Sequence, residues 1–285
     1  MSKRACAVMS AALGLVAFVS SASADTLWDQ TSPLATGTVS RASGAAVPGP
    51  GVPAPAGSSW SELFTGNTSN GSTVSPSGTT GIFRLADNFT LSQASRVDSV
   101  TAIAYVTGSG DTLFNTGNIR IWNGVPDAAG SSVVFGDTTT DRLTTSALTN
   151  IYRIFSTDNS TQGGVNNVPG TTRRLKTAVF DIGGLNLPAG EYWVDYQIVN
   201  PVTPTGAVFH PYVTLTNARG AAGANALQLT TGPSTWVTVL DTGDPAANPD
   251  VAQELVFRVD GVVPEPTTLG LIGAAGLGLL IRRRK

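Results

Sequence analysis

Cysteine is nearly missing from this 285-residue chain, the single one being Cys6. Beyond the first two dozen residues the chain can therefore form no disulfide, and it has no thiol nucleophile and no thiolate metal ligand. A domain of roughly 240 residues manages without disulfides, because its core is large enough. Methionine is as scarce: Met1 and Met9 are the only two. The rest of the chain thus lacks the two most oxidisable side chains, which fits an extracellular life. There is one histidine, His210, so structural zinc has too few ligands. No G-x-S-x-G elbow accompanies it, and His210 shares a strand phase with Tyr212 and Thr214, which reads as a structural or surface histidine.

Charge is sparse at 13%, and the formal net charge is only −2. That total hides three unlike segments. Between Asp25 and Glu265 lie all nineteen acidic residues but only eleven basic ones, a net of −8. An acidic middle excludes nucleic acid as a partner, because a phosphate backbone requires a basic footprint. The remaining basic residues sit at the two ends, the pattern of a chain handled by membranes.

Lys3 and Arg4 precede the apolar run Ala11–Val19, and Ala22-Ser23-Ala24 follows as an A-x-A site. The order positive, apolar, small is that of a secretory signal peptide over residues 1–24, cleaved between Ala24 and Asp25. The implied partners are the Sec translocon and signal peptidase. The other end reads Pro264-Glu265-Pro266, an uncharged stretch from Thr267 to Ile281, then Arg282, Arg283, Arg284 and Lys285. As a helix, fifteen residues rise about 22 Å, short of a ~30 Å hydrocarbon core unless the flanks help. The basic tail stays cytoplasmic. Gly270, Ala274 and Gly278 make a small-residue face suited to close helix packing.

These C-terminal features, in this order, resemble the PEP-CTERM sorting signal of Gram-negative bacteria. The resemblance covers residues 263–285. It implies that Pro264, Glu265 and Pro266 form the recognition site of exosortase, a membrane transpeptidase-like protease, and that the helix is a temporary inner-membrane anchor. It further implies release to the cell surface or an extracellular matrix, in company with exopolysaccharide and biofilm production.

Between the ends, residues 41–57 (RASGAAVPGPGVPAPAG) and 67–81 are Pro/Gly- or Ser/Thr/Asn-rich, so residues 25–81 read as N-terminal strands plus loop or linker. Strand signals then recur over residues 82–262: Ile82–Leu91, Val97–Thr107, Asn118–Trp122, Val133–Phe135, Ile151–Ser156, Leu175–Ile182, Glu191–Val199, Ala207–Leu215, Ala226–Leu229, Trp236–Leu240 and Gln253–Val259. No amphipathic helix separates them. The expected fold is all-β, an antiparallel, jelly-roll-like β-sandwich, flanked by the signal peptide and one C-terminal hydrophobic helix. Segments such as Ala86–Thr90, Arg120–Gly124 and Leu187–Trp193 also resemble secreted β-sandwich domains of bacterial surface proteins, a resemblance that carries no activity with it.

Alternation assigns faces. Tyr192, Val194, Tyr196 and Ile198 point one way, as do Ile119 with Ile121 and Leu255 with Phe257 and Val259; these read as core. Trp193, with Glu191, Asp195 and Gln197, points the other way, as does Trp122 with Arg120. An aromatic ring beside carboxylates is the chemistry of glycan binding, since sugar C–H faces stack on rings and hydroxyls need hydrogen-bond partners. Trp193, Glu191, Asp195 and Trp122 are therefore the candidate glycan site, with Trp236 and Tyr212 as further aromatics. Calcium is a candidate ligand for the loop carrying Asp241, Asp244 and Asp250, with Asn248, and for Asp87, a carboxylate on an inward phase. Glu191 and Asp195 are about 13 Å apart along an extended strand, too far for a glycosidase pair. No catalytic residue is assigned and no other cofactor is expected. The reading is a non-enzymatic structural, adhesive or exopolysaccharide-binding protein; the alternative is a polysaccharide-active enzyme whose carboxylates meet across strands.

Overall fold

The two-residue alternation of Tyr192-Trp193-Val194-Asp195-Tyr196 is the period of a strand with one face in a core, and it organises the molecule. A computed structural model describes residues 24–31, 34–35, 37–38, 53–61, 71–76, 82–108, 110–154, 170–202, 209–210, 212–213, 223–230, 235–241 and 250–264, with only the backbone of 209–210 and 212–213. The expected signal peptide before Ala24, the residues Glu265 and Pro266, the tail Arg282–Lys285 and the expected helix Thr267–Ile281 lie outside these residues. No helix among the described residues is long and apolar enough to cross a membrane.

The strands are β1 (Asp25–Asp29), β2 (Ser59–Ser61), β3 (Ser72–Thr73), β4 (Arg84–Leu91), β5 (Ser95–Ala104) and β6 (Gly117–Trp122). They continue as β7 (Val133–Gly136), β8 (Leu143–Arg153), β9 (Arg174–Leu187), β10 (Gly190–Ile198), β11 (Phe209–His210) and β12 (Tyr212–Val213). The last are β13 (Leu227–Leu229), β14 (Trp236–Thr238), β15 (Leu240–Asp241), β16 (Val251–Ala252), β17 (Glu254–Leu255) and β18 (Phe257–Val262). Two six-stranded sheets form, in the orders β1-β18-β5-β9-β8-β2 and β14-β13-β4-β10-β6-β7. Their ladders are antiparallel except β2 on β8. The chain passes between the sheets after β4, β5, β7 and β9, the alternation of a jelly-roll-like sandwich.

Inward side chains of both sheets meet in one core. The first sheet supplies Val100, Ala102, Phe180, Phe257 and Val259; the second supplies Leu85, Phe89, Ile119, Ile121, Val194 and Tyr196. Phe180 and Tyr196 cross the interface with ring centroids 5.9 Å apart. The residues expected inward on β6, β10 and β18 are inward. Tyr192 Oη donates to the Pro188 carbonyl at 3.1 Å and ties the β9–β10 turn to the core. Gly136, at φ 78°, closes β7 against β6: a Cβ there would stand 2.1 Å from the Ile119 carbonyl oxygen, so no other residue fits.

Residues 25–81 do more than link. β1 pairs with β18 from Asp25 onward, and β2 adds the far edge of the same sheet. The sandwich thus begins at Asp25 instead of residue 82, because β1 and β2 were too short and polar to be separated from the loops around them. The long β8–β9 hairpin also starts earlier than the apolar run Ile151–Ser156 suggests. Its first half, Leu143–Asn150, is a Thr-rich strand with no side chain fully buried, and so carries little alternation.

Candidate functional site

The outer face of the second sheet gathers the residues singled out for sugar binding. Register sets Asp195 opposite Ala86 on one side and Arg120 on the other, and Trp193 opposite Asn88 and Trp122. The face is not open, however. Trp193 is 3% exposed, Trp122 6% and Asp195 0%. Trp122, Trp193 and Ala86 form their own apolar cluster, with Leu227 and Trp236 packed against it. An aromatic strip that presents its rings to solvent is therefore not what β10 and β6 make.

Asp195 is instead a charge hub. Its Oδ1 accepts from Arg84 Nε at 2.5 Å, and its Oδ2 accepts from Arg120 Nε at 2.9 Å and from Trp122 Nε1. Arg84 also donates to Asn118 Oδ1 and to the Asp195 carbonyl. The Arg120 guanidinium lies 4.7 Å over the Trp122 ring. Burial lowers the Arg84 pKa from its ordinary value, with Asp195 opposing that shift. Two guanidiniums on one buried carboxylate make a satisfied structural network, not a sugar platform. Glu191 alone of the four stays exposed, and its Oε2 accepts from Asn88 Nδ2 at 3.1 Å.

The cover is the β6–β7 loop, residues 123–132. Strands β6 and β14 are four places apart in the sheet, about 19 Å at ordinary strand spacing. Yet Trp236 Nε1 on β14 donates to Asp127 Oδ2 in that loop at 3.1 Å. The loop therefore folds back across the sheet over Trp122 and Trp193. Asp127 carries φ 59°, the only left-handed non-glycine among the described residues. Where loop and hairpin meet, an open depression of about 390 Å³ remains, lined by Val125, Pro126, Asp127, Ala128, Leu227, Thr235 and Trp236. The Trp236 indole is half-buried: it packs against the Trp122–Trp193 cluster, its Nε1 is held by Asp127, and it lines one wall of the depression. Sequence reasoning gave Trp236 a minor place and missed Asp127, for which no local pattern exists.

A second carboxylate cluster lies inside the sandwich edge. Asp87 is fully buried on the inward phase of β4. Its Oδ1 accepts from Asn88 N and its Oδ2 from Leu255 N, both at 2.8 Å. The neighbouring Glu254 carboxyl is in hydrogen-bonding contact with it and accepts from Asn225 N at 3.2 Å. Burial pushes the Asp87 carboxyl well above the ordinary range, and the charge of Glu254 adds to this; burial also raises Glu254. The expected calcium loop is not assembled in what is described. Asp241 is fully buried, Asp250 is exposed, and Asp244 and Asn248 lie outside the described residues. Among the described residues no three Asp, Glu, His or Cys side chains gather around one point. His210 is in β11, opposite Ser72. Ala24 is exposed just before β1, and Pro264 is the last described residue.

No match was found to the chain among curated proteins or among solved structures. Residues 262–285 match the family model of the PEP-CTERM protein-sorting motif. Behind its β-sandwich the chain thus carries the PEP-CTERM sorting motif, the signal of an exosortase-sorted, secreted protein.

Proposed function

We propose that this is a non-enzymatic protein of the cell surface or extracellular matrix whose sandwich binds exopolysaccharide at the depression beside Trp236. The observation that carries this reading is the depression itself: open, shallow, and walled by a half-buried indole, a carboxylate and a threonine. An indole face accepts the C–H face of a pyranose, Asp127 and Thr235 offer partners for hydroxyls, and Val125 and Pro126 keep the floor apolar. On this reading the protein reaches the surface through Sec translocation, signal peptidase and a transient inner-membrane anchor that exosortase removes.

Hydrolysis is less well supported. The cross-strand carboxyls that meet, Asp87 and Glu254, are enclosed at 0% and 4% exposure, where no polysaccharide chain reaches. The experiment is affinity electrophoresis of the mature protein in a panel of bacterial exopolysaccharides, alongside Trp236→Ala. Saturable retardation that the variant loses supports the reading. Equal mobility of the two proteins in every polysaccharide rejects it and leaves a structural or protein-adhesive domain.

A further inference from the structure

Asp87 and Glu254 pose an electrostatic problem that their protein neighbours do not solve. Two carboxyls in contact, one fully buried and one 4% exposed, have no Arg, Lys or His beside them among the described residues. Elsewhere the same fold pairs its buried Asp195 with two arginines. Around Asp87 and Glu254 it supplies backbone N–H groups and the Gln30 amide instead. Glu254 Oε2 is buried with no donor. Gln30, 7% exposed, reaches the Glu254 carboxyl with its amide, and its Oε1 is buried with no donor. Asn225, whose N–H holds Glu254 Oε1, has its Oδ1 buried with no donor as well. A buried acceptor without a donor costs roughly 1–3 kcal/mol, and native interiors contain few of them. Glu254 and the two residues that donate to it, Gln30 and Asn225, carry one such acceptor each. A proton shared by the carboxyls would satisfy one oxygen contact and leave the amide oxygens as they are.

We propose that Asp87, Glu254, Gln30 and Asn225 form a structural calcium site, two carboxylates and two amide oxygens closing on one ion. Calcium takes six to eight hard oxygen ligands at roughly 2.3–2.6 Å, in flexible geometry, so mixed carboxylate and amide donors suit it. Backbone carbonyls or water complete the shell. The four side chains come from the end of β1, from β4, from the segment before β13 and from β17. An ion here staples the N-terminal strand and both sheets at one edge of the sandwich. The site is separate from the Asp241–Asp250 loop, which sequence alone favoured, and from the Trp236 depression.

The test uses the mature protein recovered from outside the cell, stripped with EGTA. Calorimetric titration with calcium at neutral pH should give about one equivalent, and the unfolding temperature should rise with added calcium. Glu254→Gln and Asp87→Asn should each weaken binding at least tenfold, whereas Asp250→Asn and Asp98→Asn, at a carboxylate paired with Arg96, leave it unchanged. Terbium, as a calcium substitute, should luminesce through Tyr196, whose hydroxyl is close enough to feel the Asp87 charge. This readout on wild-type protein stands even where a variant fails to fold. The proposal is overturned by a stripped protein that binds neither ion and keeps its unfolding temperature in calcium. It is overturned equally by calcium binding that survives Glu254→Gln, or that Asp250→Asn abolishes.

Discussion

Asp195 accepts from two guanidiniums and an indole on its two carboxylate oxygens, so its charge is matched inside the protein and not by solvent. Removing that charge leaves the buried Arg84 without the one carboxylate it bonds directly. Asp195→Asn should destabilise the protein by about 3–5 kcal/mol in urea unfolding, the usual cost of breaking a buried ion pair from one side. A loss under about 1 kcal/mol would mean that the network is wetter than its burial indicates. Asp137 is a different case, a half-buried carboxylate that caps a turn. It accepts from the Thr140 and Thr139 N–H groups and from both hydroxyls. The Thr140 contacts chiefly hold its pKa well below the ordinary range. A depressed folded pKa contributes stability above the unfolded value, and that contribution is lost as pH falls through the folded one. The gap in unfolding temperature between wild type and Asp137→Asn should therefore be widest near neutral pH and narrow steadily as pH drops below about 4. A gap that stays constant with pH would contradict the cap. At this scale alternation named the side of the sheet correctly for Trp193, Asp195 and Trp122. It could not say what lies over that side, because cover comes from a loop distant in register.

The β6–β7 loop is the element that turns a polar-faced strand into a second buried layer. Its position depends on one long-range hydrogen bond, from Trp236 to Asp127, and on one residue in left-handed backbone. Asp127→Ala removes the acceptor and places a β-carbon residue without a local partner at φ 59°. The expected result is a loss of about 1–2 kcal/mol and a red shift in tryptophan emission as water reaches Trp122 and Trp193. Unchanged emission would show that the loop is held by something else. Strand existence was legible for β4 to β7, β9, β10, β13 and β18, whose apolar phases are long or bounded by turn residues. It was illegible for β1, β2 and the first half of β8. Those strands sit at sheet edges and owe their pairing to neighbours, a context that a local window does not contain.

Across the whole molecule, transport is written in the sequence and binding is not. Residues 262–285 match a sorting motif, and the order of charge, apolar run and small residues at the other end is the expectation for a signal peptide. The intact mass of the protein recovered from outside the cell should therefore lack both Met1–Ala24 and Thr267–Lys285; a mass that retains Thr267–Lys285 would indicate a permanent anchor. The depression beside Trp236, by contrast, joins residues more than a hundred positions apart and leaves no mark in either segment. Under the proposed function, ligand touches that rim and the buried tryptophans have a purely structural part. The most direct measurement is the nitrogen-labelled indole spectrum of the mature protein, which has one signal each for Trp28, Trp60, Trp122, Trp193 and Trp236. It would be recorded during titration with each of the bacterial exopolysaccharides in the panel. Movement of the Trp236 signal, with Trp193 and Trp122 still, is the predicted result. Movement of Trp193 with Trp236 unmoved would contradict the account and return the binding site to the sheet face.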